Sequence, residues 1–347
     1  MKKDDKPPGG GNNLSLPQKV SIVYSDVKRE YFPTEEQYIT EKEAYKEAKI
    51  VSRYLNRLEV ETFLYPATLE LSNRIKRTKP DMVFNLTGSI LGQEYLIAAV
   101  PGILEMHDVP YTGAGILGMS LDHNKFLVKK LLQQHGVPVP NFQLFTTYTT
   151  SLNNDMRYPL ISKLNEIHGA VELNDDAIST NEKHLKDRVK FLINTYKQPV
   201  LVEEFIVGKE VSAVLLEGLN KKVYLAERLI KDAENPFAFA TFDMQWEGED
   251  DAITYEKYLD SVLSELIKKA FDTVRMADYG KFDIRIDASG RYYFIDSNCN
   301  PAFGPKEAEC PMSFILDLYG VSFNKILKRL MINTMRDAIN KPLLSLP

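Results

Sequence analysis

Cysteine and tryptophan are nearly missing: the 347 residues hold two cysteines, Cys299 and Cys310, and a single tryptophan. Two thiols are too few for a disulfide framework and too few for a cysteine-rich zinc site, so a reducing cytoplasm is the expected compartment. Neither sign of charge dominates. The 43 Lys and Arg stand against 48 Asp and Glu, a net charge of -5, which removes any global electrostatic reason to expect nucleic acid or an anionic membrane as a partner. No apolar run reaches the roughly 20 residues that cross a bilayer, and the N-terminus lacks the apolar core of a signal peptide. What is present, 44% hydrophobic and 26% charged residues, suits a soluble globular chain of two or three domains. The first eighteen residues, MKKDDKPPGGGNNLSLPQ, are polar and rich in Gly, Pro and Asn, and read as a disordered tail.

From Lys19 strand and helix patterns alternate. VSIVYS (20–25), VETFLYP (60–66) and DMVFNL (81–86) read as strands. Thr34 and Gln37 make a capping box before one helix whose Ala44, Ala48, Val51, Leu55 and Leu58 form a stripe. A polar helix separates the second and third strands, so the chain opens as βαβαβ with a parallel sheet. A further helix near Asp122 carries Phe126, Leu127, Leu131 and Leu132 and stops at Gly136, where GVPVP (136–140) suggests a domain boundary. Beyond it YPLISKL (158–164), PVLVEEFIVG (199–208), EVSAVLLEG (210–218) and KVYLAERLI (222–230) read as strands, with a helix near 182–196. A helix from about Tyr255 to Asp278, with Leu259, Val262, Leu263, Leu266, Ala270 and Val274 at helical spacing, leads to a last hairpin. Helices packed on the sheet are expected from Pro311.

That hairpin, KFDIRIDASGRYYFIDSNCNP (281–301), poses a problem of charge. Strict alternation puts Phe282, Ile284 and Ile286 on one face and Lys281, Asp283, Arg285 and Asp287 on the other, and puts Phe294 with Asp296, Asn298 and Asn300. A turn centred near Ser289 sets Asp283 roughly opposite Asp296. Opposed like charges destabilise a hairpin. Either this face looks at solvent, or a dication joins the two carboxylates and an amide oxygen, the hard ligands that Mg2+ takes together with substrate phosphates.

Two lysines and an acidic strand add to the picture. Lys163 interrupts the β-rich run LISKL and precedes NEIHGAVEL (165–173), a loop with too few glycines for a typical phosphate cradle. Lys125, at a helix start, reads by itself as a solvated surface residue, and His168 as a surface histidine. LVEEFIVGKE (201–210) reads as a strand running into a hairpin at Val207–Gly208, which sets Glu210 near Glu203 or Glu204. Acids at such an exit suit hydroxyl and amino donors, and a purine riboside supplies both.

In this order the segments resemble an ATP-grasp ligase of the D-alanine:D-alanine ligase group, from Lys19 to about Leu330. DMVFNLTGSILGQEYLIAAVPGILEMHDVPYTGAG (81–115) is similar to that group's VFN, Gly-rich and PYTG segment, and LDHNKFLVKKLLQQHGVPVP (121–140) to its DK-x3-K and GxPxP passage. LVEEFIVGKE resembles its adenine hinge and 281–301 its metal-binding finish. The resemblance implies an α/β (α+β) ATP-grasp fold. Its expected parts are the tail 1–18, an N-terminal Rossmann-like parallel-sheet domain 19–121, a small central lid 122–206, and a C-terminal antiparallel-sheet domain 207–347 bearing the metal site. It implies ATP with its adenine beside Glu203, Glu204, Phe205 and Ile206, its ribose on Glu210 and its phosphates on Lys125 and Lys163. One or two Mg2+ on Asp283, Asp296 and Asn298, and Lys281 in the place of an oxyanion-steadying arginine, complete the set. The implied reaction is phosphorylation of a carboxylate and attack of an amine on the acyl phosphate. The implied partners are amino acids or small peptides, with a homodimer through the N-terminal domain.

The chain departs from that pattern at several positions. Lys281 offers a point charge instead of a guanidinium fork. Gln245 in FDMQWEG (242–248) stands where a lysine reaches the terminal phosphate, and Glu172 where a glycine is usual. SDVKREYFP (25–33) replaces a Gly-Gly-x-Ser-x-Glu stretch, and Thr87 replaces an acid. These argue against a standard cell-wall enzyme. They leave an amine ligase for another amino acid or small peptide, a nucleotide-binding subunit that has lost catalysis, or a protein that stops at phosphoryl transfer.

Overall fold

The computed structural model describes residues 16–231, 235, 237–248 and 252–337. Residues 1–15 of the expected tail lie outside the described residues. Pro17 is buried, and the Gln18 amide donates to Asp81 at 2.8 Å, so the ordered chain starts earlier than its composition suggests.

Three sheets build the molecule. β1 (Lys19–Tyr24), β2 (Glu61–Pro66) and β3 (Met82–Leu86) form a parallel sheet in the order β2-β1-β3, as a βαβαβ opening demands. Four antiparallel strands follow: β4 (Phe142–Phe145), β5 (Leu160–Leu164), β6 (Ile178–Ser179) and β7 (Val200–Glu204), ordered β4-β7-β5-β6. The third sheet, also antiparallel, comprises β8 (Gly208–Leu216), β9 (Lys222–Ile230), β10 (Ile253–Tyr258), β11 (Tyr279–Asp287) and β12 (Tyr292–Asn298), ordered β10-β9-β8-β11-β12. The parallel sheet with two antiparallel sheets is the architecture expected of an ATP-grasp chain.

The second sheet buries one face against a helix, and the first and third contribute side chains from both faces to apolar clusters. Leu160, Leu164, Val200 and Val202 pack on the helix Glu182–Tyr196 through Leu185, Val189 and Leu192. Val211, Ala213, Phe282, Ile284 and Phe294 pack on the helix Ser261–Thr273. The C-terminal helices Pro311–Leu318 and Phe323–Asp337 fill the space between the first and third sheets, with Met312, Ile315, Leu327 and Leu330 against Val20, Ile22, Val214 and Leu216. The alternation of strands leaves the opposite faces of the second and third sheets to a common cleft.

Several local expectations are corrected. Thr34 caps a helix as read, accepting from the Gln37 amide, but that helix ends at Glu41, and Ala44–Asn56 is a second one. Ala44, Ala48, Val51 and Leu55 are buried on it, and Leu58 lies past its end. Ile253–Tyr258 is a strand paired to β9, because Ile253, Tyr255 and Lys257 alternate with Thr254 and Glu256. The helix therefore starts at Ser261, and Leu259 and Val262 are exposed, 85% and 61%. On the helix Lys125–Gln134 the buried side chains are Val128, Lys129 and Leu132, while Leu127 is exposed. Val207–Gly208 is no hairpin: β7 pairs with β4 and β5, and β8 with β9 and β11, so the chain crosses from one sheet to the next. Gly208 makes that crossing with φ +154°, where an added Cβ would stand 2.0 Å from the Ile286 carbonyl oxygen.

Candidate functional site

The hairpin turns at 288–291 as expected, and Asp283 pairs with Asp296 and Lys281 with Asn298. One residue further on, Ile284 pairs with Phe294, so Ile295 is an extra residue in β12 and the register shifts. A β-bulge breaks the parity of side chains along a strand. Phe294 therefore joins the apolar face, edge-on to Phe282 at 5.7 Å, rather than sharing the face of Asp296 as simple alternation predicts. Asp296 and Asn298 keep the cleft side with Asp283. The bulge also turns backbone oxygens inward: the Ile295 carbonyl accepts from Lys163 Nζ and from Lys129 Nζ, each at 3.2 Å.

Lys163 comes from the facing sheet. In β5 and β7 the pairs Ile161–Glu203 and Lys163–Leu201 place Ile161, Lys163, Leu201 and Glu203 on the cleft side. Lys163 Nζ sits 2.7 Å from Glu203 Oε2, and Lys129 Nζ forms an ion pair with Glu203 Oε1. Glu203 is completely buried, so two ammonium groups and a carboxylate form an enclosed triad. Lys129 is the second lysine of the DK-x3-K pattern in 121–140, to which the sequence attaches no separate role; a further signal is its place on the same helical face as Val128 and Leu132. Glu203, which the resemblance sets beside the adenine, lines the cavity and is tied to these lysines.

On the third sheet, cross-strand pairs set up a polar network. Glu210 in β8 is opposite Arg228 in β9 and Arg285 in β11. Arg228 Nη1 donates to Glu210 Oε1 at 2.7 Å and Arg285 Nη2 to Glu210 Oε2 at 3.2 Å. Ser212, opposite Asp283, donates to Asp283 Oδ1 at 2.7 Å, and Lys281 Nζ donates to both Asp283 oxygens at 2.7 and 2.5 Å. Burial opposes ionisation of Asp283, but Lys281 and Arg228 outweigh it and hold its pKa well below the usual carboxylate range. Glu210 therefore lies on a different sheet from Glu203 and Glu204, and the three line the same cavity. Glu204 Oε1 accepts the Arg157 amide at 2.7 Å.

Together these side chains line one cavity of about 340 Å³, within the range of about 300–1,000 Å³ of small-molecule sites. Lys125, Lys163, Glu203, Glu204, Phe205, Ile206, Glu210, Lys281, Asp283, Asp296 and Asn298 all reach it. One end is apolar: Ile161, Phe205 and Phe239 cluster there, and the Arg285 guanidinium lies 4.5 Å from the Phe205 ring centre. A flat heterocycle suits that end. Lys125 also proves not to be a solvated surface residue, since its ammonium donates to the Ile167 carbonyl at 2.7 Å and its charge faces the cavity. The oxygens of Asp283, Asp296 and Asn298 at the other end are the donor set of a hard divalent ion.

The departures from the family pattern take definite positions. Glu172 is directed away from the cavity, with Arg188 Nη1 at 3.0 Å and the Tyr196 hydroxyl at 2.8 Å on its carboxylate. Gln245 lines the cavity, and its amide donates to the Ala240 carbonyl at 2.9 Å. The 165–173 loop forms a roof: the Trp246 indole donates to the Gly169 carbonyl at 2.8 Å, and the Glu172 amide to Glu36 at 2.7 Å. His168 is no surface residue; it lines the cavity and contacts Asn298.

The N-terminal wall supplies residues that sequence reasoning missed, Glu41, Glu94, Asp122 and His123. Burial, with Glu47 adding repulsion, raises Glu41 to about 7. Burial also raises Asp122 to about 7 and Glu94 to about 8. Their spacing carries no motif, because three helix ends far apart in sequence bring them together.

Residues 131–332 match the family described as D-ala D-ala ligase C-terminus. The chain is 31% identical over 237 residues to the uncharacterized protein y4sG of Sinorhizobium fredii, covering 65% of this chain and 67% of that protein. It is 24% identical over 259 residues to the D-alanine–D-alanine ligase of Aquifex aeolicus, covering 74% and 84%. The crystal structure of the Bacillus anthracis D-alanine–D-alanine ligase complexed with ATP superposes with a TM-score of 0.69 at 17% identity, over 93% of this chain and 99% of that one. Among the described residues no helix is long and apolar enough to cross a membrane.

Proposed function

This chain belongs to the D-ala D-ala ligase family, whose C-terminal region its residues 131–332 match, and from that premise we propose an ATP- and Mg2+-dependent ligase that joins a carboxylate to an amine. The observation that carries the reading is the meeting of Lys125 and Lys163 with Asp283, Asp296 and Asn298 around one cavity. Cations for phosphate oxygens and oxygen ligands for a dication are the parts that phosphoryl transfer needs, since its catalysis is mostly positioning and charge neutralisation.

In this reading the adenine lies at the apolar end beside Glu203, Glu204, Phe205 and Ile206, and the ribose hydroxyls meet Glu210. Asp283, Asp296 and Asn298 would hold Mg2+, which when bound neutralises the charge of the triphosphate. The carboxylate oxygen of the first substrate attacks the terminal phosphorus and ADP leaves. The amine nitrogen of the second then attacks the acyl carbon, phosphate leaves with the bonding pair, and the nitrogen sheds a proton. Lys281 steadies the oxyanion. The substrates are amino acids or a small peptide: Glu41, within the wall formed with Ser25 and Thr87, supplies the counter-charge for an ammonium in place of the missing Gly-Gly-x-Ser-x-Glu acid. A cytoplasmic homodimer with a central lid at 122–206 completes the proposal.

One observation favours a second reading, a nucleotide-binding regulatory subunit without catalysis. Gln245 brings no charge to the cavity, and its amide is held by a backbone carbonyl. Hydroxylamine separates the two. Incubation with Mg·ATP and pooled D- and L-amino acids yields hydroxamate if an acyl phosphate forms. Nucleotide binding with neither hydroxamate nor ADP supports the regulatory reading and overturns the ligase.

A further inference from the structure

The N-terminal wall of the cavity holds a second constellation that the ligase reading does not use. Glu94 follows β3, His123 ends the helix Ile116–Asp122, and His168 lies in the roof loop. A carboxylate oxygen and one nitrogen from each imidazole lie within 4.8 Å of one another, with Glu94 Oε2 3.8 Å from His123 Nδ1. We propose that Glu94, His123 and His168 form a binding site for a divalent transition ion of the zinc class, distinct in its ligands from the oxygen-only magnesium positions.

The state of His123 argues for an occupant. Its side chain is 6% exposed, and neither ring nitrogen has a hydrogen-bond partner among the described residues. An orphaned buried polar atom is costly, so a purely structural residue here would be apolar. A metal ion takes one nitrogen directly.

The neighbouring groups are arranged as an ion requires. His168 Nε2 lies 3.0 Å from the Asp122 carbonyl oxygen. A proton on Nε2 donated to that oxygen leaves Nδ1 bare, the usual way in which an outer hydrogen bond orients a ligating imidazole. Nδ1 faces the Asn298 amide at 3.2 Å, which the ion replaces. Glu94 is already tied to the roof, accepting the His168 backbone amide at 3.0 Å.

The chemistry of the ligands selects the ion. Mg2+ takes oxygen almost exclusively, whereas two imidazoles and a carboxylate suit Zn2+ and its neighbours. Tetrahedral zinc with bonds of about 2.0–2.1 Å sets its ligands about 3.4 Å apart. The 4.8 Å span therefore contracts on binding, drawing the roof towards the wall. Three protein ligands facing the main cavity leave a fourth position open for water or an oxygen of a small molecule, the form of a reactive rather than a structural site.

Equilibrium dialysis of the full-length, chelator-treated, nucleotide-free protein against micromolar Zn2+ tests this, with Co2+ absorption as an optical probe. About one ion per chain is expected, with a higher melting temperature in its presence. His123→Gln and Glu94→Gln should each weaken binding about 10-fold or more, while Asp296→Asn leaves it unchanged. Melting without metal checks that the variants fold, and a failure of one leaves the other to decide. No bound ion, or binding that survives both ligand variants or is lost with Asp296→Asn, overturns the site. Magnesium-linked ATP binding, measured alongside, stands independently: its loss with zinc binding intact overturns the ligase reading alone.

Discussion

Lys281 rests on both oxygens of Asp283, at 2.7 and 2.5 Å, two residues apart on the cleft side of β11. The group proposed to steady an oxyanion and a group proposed to hold Mg2+ are thus each other's partners in the ligand-free chain. In the proposed reading, loading the site would exchange this contact for a metal and a phosphate and release the lysine where negative charge develops.

Lys281→Met is therefore expected to lower the maximal rate by about 10²-fold with a smaller loss of ATP affinity. Mg2+ binding is expected to hold or tighten, because Asp283 loses its competitor. Steady-state kinetics with a magnesium titration checks this; a rise in KM for ATP at unchanged kcat would reassign Lys281 to ground-state binding.

Asp296→Ala removes the cleft-facing acid of β12. Turnover should fall by about 10²-fold or more, while the melting temperature stays near that of the parent because Asp296 is no part of the apolar cluster. Unchanged hydroxamate yield would remove Asp296 from the metal site.

Glu203→Gln leaves Lys129 and Lys163 enclosed without their carboxylate. Breaking a buried ion pair from one side costs about 3–5 kcal/mol. Urea denaturation should show a markedly lower midpoint at unchanged slope, and an unaltered midpoint would mean that the lysines find other partners.

Glu41 ties stability to pH. Its folded value of about 7 lies above the ordinary 4.5, so between those values the folded chain holds a proton that the unfolded chain releases. The contribution is full below about pH 4.5 and is lost as pH rises through 7. Glu41→Gln should flatten this decline by about 1–2 kcal/mol, less than the shift alone would give at about 1.4 kcal/mol per unit, because Glu41 stays partly accessible. Denaturation curves at pH 5 and pH 8 that shift equally in parent and variant would contradict it.

The sequence carried most strands of the three sheets because they announce themselves by period and by turn residues, and missed the short strands Phe142–Phe145 and Ile178–Ser179, which are too brief to show a period. It came within one residue of the Asp283–Asp296 pairing: the turn at Ser289 alone sets Asp283 opposite Ile295, and the extra residue there moves the partner to Asp296. It misled at Phe294, since a single extra residue reverses parity without changing composition, and at Ile253–Tyr258, whose half-exposed alternation runs into a helical stripe. Val207–Gly208 looked like a hairpin because local residues do not say which sheet the next strand joins. Lys129 was hidden by the ordinary expectation that lysine is solvated, and Glu41, Glu94 and His123 by the long separations that only the tertiary fold closes.

The extra residue at Ile295 also fixes how β12 tolerates change in length. Towards the tip, beyond Tyr292, the hairpin can grow or shrink by matched pairs without altering what faces inward. Between Asp296 and Asn298 the spacing is rigid, because losing one residue there would turn Asp296 towards the apolar face, whereas loss of Ile295 would only remove the bulge and leave Phe294 and Asp296 on their present faces. Length changes in this strand are thus tolerated at its tip and at Ile295 and excluded from the stretch that carries Asp296 and Asn298.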